Sequence, residues 1–96
     1  MHIEWDEAKN LANQRNHRIS FEEARVLFES GVDYLEIFDA THSVEEDRFV
    51  AIGQIRRGLV LVVWTERQED VVRIISARMA TRHETKLYTE RMRDLS

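Results

Sequence analysis

Five charged side chains in the second half of the chain have types and spacing suited to phosphate chemistry: Arg67, Arg73, Arg78, Arg82 and Glu84. A guanidinium group hydrogen-bonds phosphate oxygens in pairs and keeps its charge throughout the physiological range. A carboxylate among arginines stays ionised and is suited to general-base catalysis. The pattern indicates an anion site. The alternative is that these residues are solvated strand ends paired with neighbouring carboxylates.

Two details of the spacing leave the nature of this site open. Strict alternation along a strand places Arg73 and Arg78 on opposite faces, which argues against a single cluster. Glu84 follows Thr81 by three residues, so a capping role at the start of a helix explains its position as well as catalysis does.

The four histidines, at positions 2, 17, 42 and 83, lack the HxH or HxxxH spacing of metal ligands. We therefore expect neither a metal nor another cofactor. His17 is a candidate proton donor or acceptor, although its charge also suits the carbonyl end of a helix. His42 and His83 are expected on the surface. Glycine-rich phosphate loops and GxSxG are missing, which disfavours nucleotide hydrolysis and serine hydrolase chemistry.

The elements that position the arginines begin with a buried strand. Leu59–Trp64 is a continuous apolar run, which predicts a central strand covered on both faces. Val71–Ser76 follows a polar interval too short for a crossover helix, so it should return as the antiparallel partner. Thr81 and Glu84 form a capping box, and the helix that follows should run to about Asp94.

The chain begins with a predicted strand and helix. His2–Trp5 is strand-like, and Asp6 is suited to cap a helix that runs through about Asn16. The apolar stripe of this helix is Ala8, Leu11 and Ala12.

A second helix and two strands complete the first half of the fold. Ser20 and Glu23 form a capping box, and Gly31 is positioned to end the helix in a left-handed conformation. Strands are predicted at 34–38 and 48–54, on either side of an acidic loop. The predicted order is β-α-α-β-β-β-β-α. This is an α+β fold in one domain, residues 1–96, with an antiparallel meander packed against two N-terminal helices and one C-terminal helix.

Composition narrows the functional classes. The chain has no cysteine, no apolar run long enough to cross a membrane, and no signal-peptide pattern at its start, so we expect a cytoplasmic protein. The net charge of -4 hides an asymmetry: residues 1–47 carry 4 Lys/Arg against 12 Asp/Glu, and residues 48–96 carry 10 against 6. An acidic half beside a basic half suits a basic partner on one side and an anion on the other.

Several blocks of residues, spread from position 3 to about position 88, form one recognisable set. They are IEWD at 3–6 with Lys9, His17 with ISFEEA at 19–24, RF at 48–49 with IG at 52–53, VVWTER at 62–67, and RIISAR at 73–78 with Ala80, Arg82, Glu84 and Tyr88. This set resembles the BrnT family of toxins. The RIISAR segment and the helix bearing Glu84 are its most specific part. The chain departs from the family pattern at Arg18, where the family usually has a glycine after the histidine.

The resemblance implies a toxin of a type II toxin–antitoxin system, with a RelE-like fold and ribonuclease activity that arrests translation. It also implies a BrnA-like antitoxin partner with a ribbon-helix-helix DNA-binding region. The complex of the two would repress its own operon, so operator DNA would be bound only through the antitoxin.

The expected mechanism needs no metal: a base removes the proton of an RNA 2′-hydroxyl, which attacks the adjacent phosphate while arginines stabilise the transition state. The candidate catalytic residues are Arg67, Arg78, Arg82, Glu84 and His17, and the candidate RNA-binding residues are Arg73, Lys86 and Arg48. We expect these side chains to converge in space. Glu84 is assigned either to base catalysis or to orienting an arginine.

A competing hypothesis is a non-catalytic binding module whose acidic face holds a basic partner, with the arginines completing internal ion pairs. Under either hypothesis the acidic first half, including Glu22, Glu23 and Glu29 on the second helix, is a candidate docking surface for a basic antitoxin. The alternative for those three carboxylates is a solvated helix face.

Overall fold

Nine elements follow one another in residues 1–95, the part of the chain that the computed structural model describes. They are β1 (His2–Glu4), α1 (Glu7–His17), α2 (Phe21–Glu29), β2 (Leu35–Phe38), a 3-10 turn (Ala40–His42), β3 (Arg48–Ile55), β4 (Gly58–Gln68), β5 (Val71–Met79) and α3 (Arg82–Leu95). The predicted element order is confirmed. No helix within residues 1–95 is long and apolar enough to cross a membrane.

The sheet has the order β1-β5-β4-β3-β2. Strands β2 to β5 form the predicted antiparallel meander. Strand β1, whose pairing the sequence left open, adds to this meander in parallel with the start of β5, His2 lying opposite Val71, so the sheet is mixed. Turn chemistry gives no signal for this pairing, since the two strands are far apart in sequence.

Strand β4 is central and its apolar run is covered on both faces, as predicted. Val60, Val62 and Trp64 pack into the core beneath α1 and α2. Leu61 is buried on the opposite face, where α3 packs against the sheet. The sheet therefore has a core face and an α3 face.

All three predicted helix starts are confirmed. The Asp6 carboxylate accepts a hydrogen bond from the Ala8 amide at 2.8 Å. Ser20 and Glu23 cap each other at the start of α2, and Gly31, with φ +78, follows the end of that helix. These contacts are local, which is why a short stretch of sequence predicts them.

The buried face of α1 differs from the predicted apolar stripe. Leu11 is 52% exposed, whereas Asn10 and Asn13 are 0% and 5% exposed. The Asn13 amide group donates to the Ala77 carbonyl at 2.8 Å and accepts from the Ala77 amide at 3.1 Å. Because β5 extends beyond β1, the backbone of Ala77 has no strand partner on that side. The Asn13 side chain supplies both missing hydrogen bonds.

Strand β5 contains one extra residue, Ile75. Trp64 lies opposite Ile74, but the preceding β4 residue, Val63, lies opposite Ser76. This bulge reverses the alternation, so Arg73 and Arg78 both lie on the α3 face, opposite Thr65 and Leu61. The expectation that the two arginines occupy opposite faces is therefore wrong.

We predict that Asn13→Ala lowers the free energy of unfolding by about 2–4 kcal/mol, because it leaves the buried Ala77 backbone without partners. Urea denaturation followed by circular dichroism measures this loss. The matched control is Asn16→Ala, an exposed asparagine in the same helix, for which a change below about 0.5 kcal/mol is expected. Equal effects of the two substitutions would contradict the role given to Asn13.

Candidate active site

A groove of about 550 Å³ lies on the α3 face of the sheet. Its floor is aliphatic and consists of Val50, Ile52, Leu61 and Val63. Arg78, His83 and Glu84 line it on the α3 side, and the residues from Ile37 to Thr41 line the opposite wall. An apolar floor with a few convergent polar groups is the usual form of a ligand site.

Arg78 and Glu84 form a two-point ion pair at the wall of this groove. Arg78 Nη1 donates to Glu84 Oε1 at 2.7 Å, and Nη2 donates to Oε2 at 2.8 Å. Oε1 also accepts from the Thr81 amide at 2.8 Å, so the capping box and the ion pair share one carboxylate. No hydrogen bond within residues 1–95 uses the Nε–H of Arg78.

The ion pair fixes the charge of both partners. The hydrogen bond from Arg78 lowers the pKa of the Glu84 carboxyl to about 2, with a further contribution from the Thr81 amide. The same contact raises the pKa of Arg78. A carboxylate with so low a pKa is a weak proton acceptor near neutral pH. The geometry therefore favours the arginine-orienting role for Glu84 over the general-base role.

His83 is exposed, as the sequence predicts, but it also lines the groove, which the sequence does not indicate. It lines the groove beside Arg78 and Glu84, in the first turn of α3. The spacing of the four histidines in the sequence does not indicate a metal site. The adjacency of His83 to Glu84 is the one feature of the sequence that could have pointed to this position.

Three other predicted site residues lie on or near the same face. Arg82 and Lys86 are exposed, and their spacing of four residues puts them in one row along α3. Arg73 shares the α3 face with Arg78, but its guanidinium pairs with the Glu4 carboxylate at 2.7 Å. Arg73 also lies about 13 Å along the ladder from Arg78, at ~3.3 Å per residue.

Arg67 and His17 lie away from the groove, whereas Arg48 lies on the α3 face two residues from Val50 and lines a neighbouring depression that shares Thr41 with the groove. Arg67 occupies a second bulge near the end of β4, about 20 Å along the strand from the position opposite Arg78. It lines a separate depression with Glu46 and other acidic residues. Arg48 lies 3.8 Å from the Glu46 carboxylate. His17 ends α1, which packs on the core face of the sheet.

The three carboxylates of α2 that sequence reasoning assigned to a docking face already have partners within the chain. Glu22 accepts from Asn10 at 2.7 Å. Glu23 caps α2 and lies 3.1 Å from Arg57. Glu29 lies 3.3 Å from Arg25. The ion pairs of Glu23 and Glu29 offset part of the negative charge on α2, whereas Glu22, held by a neutral amide, keeps its charge.

We predict that Glu84→Gln lowers the free energy of unfolding by about 1–2 kcal/mol at pH 7, a value reduced for the 37% exposure of the Arg78 side chain. The lowered pKa of Glu84 stabilises the fold above the ordinary value of 4.5, and this stabilisation is lost as the pH falls towards 2. The difference between wild type and variant should therefore shrink between pH 5 and pH 3. Denaturation curves across that range test this, with the exposed Glu90→Gln as control. A difference that is constant with pH would contradict the assignment.

Comparison with known proteins agrees with the fold. A family model described as "Ribonuclease toxin, BrnT, of type II toxin-antitoxin system" matches residues 5–84. The crystal structure of the Brucella abortus ribonuclease toxin BrnT superposes with a TM-score of 0.64 and 25% identity, covering 85% of this chain and 99% of that one. No curated protein sequence matches the chain. Because the family model spans most of its length, the chain belongs to the BrnT family of ribonuclease toxins of type II toxin–antitoxin systems.

Proposed function

We propose that this ribonuclease toxin cleaves RNA in the groove that holds Arg78 and Glu84, through metal-independent attack of a 2′-hydroxyl on the adjacent phosphate. The observation that carries the proposal is the Arg78 guanidinium, held at two points by Glu84 while its Nε–H stays available at the groove. Cleavage of RNA by this route in the cytoplasm would arrest translation. The neutralising partner is a BrnA-like ribbon-helix-helix antitoxin.

Arg78 stabilises the transition state. As the 2′-oxygen bonds to phosphorus and the bond to the 5′-oxygen breaks, negative charge grows on the non-bridging phosphate oxygens. A guanidinium already fixed in position donates to those oxygens without reorganising during the reaction. The products are a 2′,3′-cyclic phosphate and a 5′-hydroxyl.

Glu84 is a positioning residue in this scheme. Its two oxygens hold the two terminal nitrogens of Arg78, which leaves the Nε edge of the guanidinium for the substrate. It also anchors the first turn of α3 through the Thr81 amide. One carboxylate thus keeps the arginine and the helix in a fixed relation.

We assign proton transfer to His83 rather than to His17. His83 lines the same groove as Arg78, whereas His17 ends a helix on the core face of the sheet. An imidazole is the ordinary side chain that exchanges a proton near neutral pH. In this scheme the imidazole accepts the 2′-hydroxyl proton, and solvent at the open mouth of the groove protonates the leaving 5′-oxygen.

RNA is held near the groove by the cationic row of α3. The Glu84 carboxylate neutralises Arg78, so long-range attraction for phosphate must come from other cations. Arg82 and Lys86 are exposed beside the groove and supply that charge. Arg67, in its separate depression among acidic residues, lies too far from Arg78 to contact the scissile phosphate.

We predict that Arg78→Lys lowers the cleavage rate by about 100-fold or more, because an ammonium cannot be held at two points by Glu84 while it presents a further fixed N–H to the phosphate. Purified protein is incubated with a labelled RNA oligonucleotide, with and without EDTA, and the product ends are identified by mass spectrometry. Cleavage should leave a 2′,3′-cyclic phosphate and be insensitive to EDTA. In cells, Arg78→Ala and Glu84→Ala should abolish growth arrest at equal protein abundance.

The matched control for these substitutions is Arg15→Ala, which removes an exposed arginine from α1 on the core face. This variant should cleave at the wild-type rate. Full activity of Arg78→Lys and Glu84→Ala, in protein that remains folded, would place the active site elsewhere. A folded wild-type protein with neither cleavage nor toxicity would favour the non-catalytic binding module.

We predict that His83→Asn lowers the cleavage rate by about 100-fold, since general acid–base catalysis typically contributes at least that factor. The loss should appear in kcat with little change in KM, because the proton moves only during the chemical step. His2→Asn, an exposed histidine on β1, is the control. An unchanged kcat in His83→Asn would contradict the assignment of proton transfer to His83 and leave His17 as the candidate.

A further inference from the structure

The outer edge of β2 has no strand partner. Strand β2 ends the sheet, and within residues 1–95 it pairs only with β3. The Asp39 amide donates to the Arg48 carbonyl at 2.8 Å, so alternation along the antiparallel ladder turns Ile37 towards β3 and directs the backbone N–H and C=O of Glu36 and Phe38 outwards. An unpaired edge of this kind is a template for an added strand.

The side chains at this edge are apolar although exposed. Phe38 is 51% exposed and Ile37 is 38% exposed. Val32 and Val44, in the segments before and after the strand, are 46% and 90% exposed. Backbone groups give affinity in strand addition, and alternate apolar side chains give specificity.

The charge near the β2 edge indicates which kind of partner can bind there. Residues 26–47 contain seven acidic residues and no lysine or arginine; Glu29 and Glu46 pair with the flanking Arg25 and Arg48, and five acidic residues remain. This surface repels RNA phosphates. It equally disfavours a second copy of this chain, because pairing two β2 edges brings two acidic segments together. A basic protein segment is the occupant that the charge favours.

We infer that the antitoxin of this system adds an extended segment, with apolar residues interspersed with Lys or Arg, to the outer edge of β2. The inference rests on the family's antitoxin partner and deepens the proposed function. Ile37 and the residues that follow β2 line the groove that holds Arg78. A strand added at this edge therefore lies beside the mouth of the groove and obstructs RNA.

The opposite edge of the sheet offers much less. Strand β1 has only three residues. Beyond it, the Asn13 side chain already forms hydrogen bonds with the backbone N–H and C=O of Ala77. A partner strand on that side has few groups to pair with. The β2 edge is the better docking surface on backbone geometry, exposed apolar area and charge together.

The test uses the small protein encoded by the reading frame adjacent to this chain's gene, co-expressed and purified with the toxin. Glu36→Pro removes an outward-facing N–H that the free toxin does not use, so the edge strand tolerates it. We expect affinity, measured by isothermal titration calorimetry, to fall at least about tenfold. Glu36→Ala is the matched control, since it loses the same carboxylate but keeps the N–H, and it should stay within about threefold of wild type.

Amide hydrogen exchange of the wild-type complex gives a second measurement that needs no substitution. The amides of Glu36 and Phe38 should become protected on binding. Unprotected amides at both positions, or equal affinity of Glu36→Pro and Glu36→Ala, would overturn the inference, as would a toxin dimer formed through this edge. Neither measurement involves RNA. A failed cleavage assay therefore leaves the docking surface standing, and failed docking leaves the proposed active site standing.

Discussion

The bulge at Ile75 is the constraint on which the groove depends. Ile74 packs in the core, and uninterrupted alternation from it would direct Arg78 into the core as well. Burying an unpaired guanidinium costs far more than a small domain can sustain. One extra residue instead places Ala77 in the core and Arg78 on the α3 face. The bulge thus allows a continuous apolar core and a charged groove to share one strand.

Glu84 connects local and tertiary structure at the same place. Its carboxylate completes the capping box of α3 and holds Arg78 on β5. The start of the helix and the direction of the guanidinium therefore depend on a single group. From the sequence alone, capping and catalysis are competing explanations of Glu84. The structure combines capping with an arginine contact, and the pKa of about 2 that results favours orientation over proton transfer.

What the sequence predicted well is local, and what it missed depends on distant parts of the chain. Capping boxes and a continuous apolar strand are contained in a few neighbouring residues, so Ser20 and Leu59–Trp64 were interpreted correctly. Asn13 looks like a surface residue until the unpaired backbone of Ala77 is known. Arg67 and Arg78 lie far apart because they occupy distant register positions along the paired strands β4 and β5. Their spacing in the sequence does not reveal this distance.

The hydrogen bonds between the Asn13 side chain and the Ala77 backbone also limit how copies of this chain can assemble. A fibre that grows by extending the sheet needs two unpaired sheet edges on each copy, because each added copy must expose a new edge for the next one. In residues 1–95, the β1 edge is short and the Ala77 backbone beyond it is hydrogen-bonded to Asn13, so β2 is the one long unpaired edge. Two copies joined β2 to β2 would expose only their short β1 edges, so pairing between copies of this chain ends at a dimer and does not propagate into a filament.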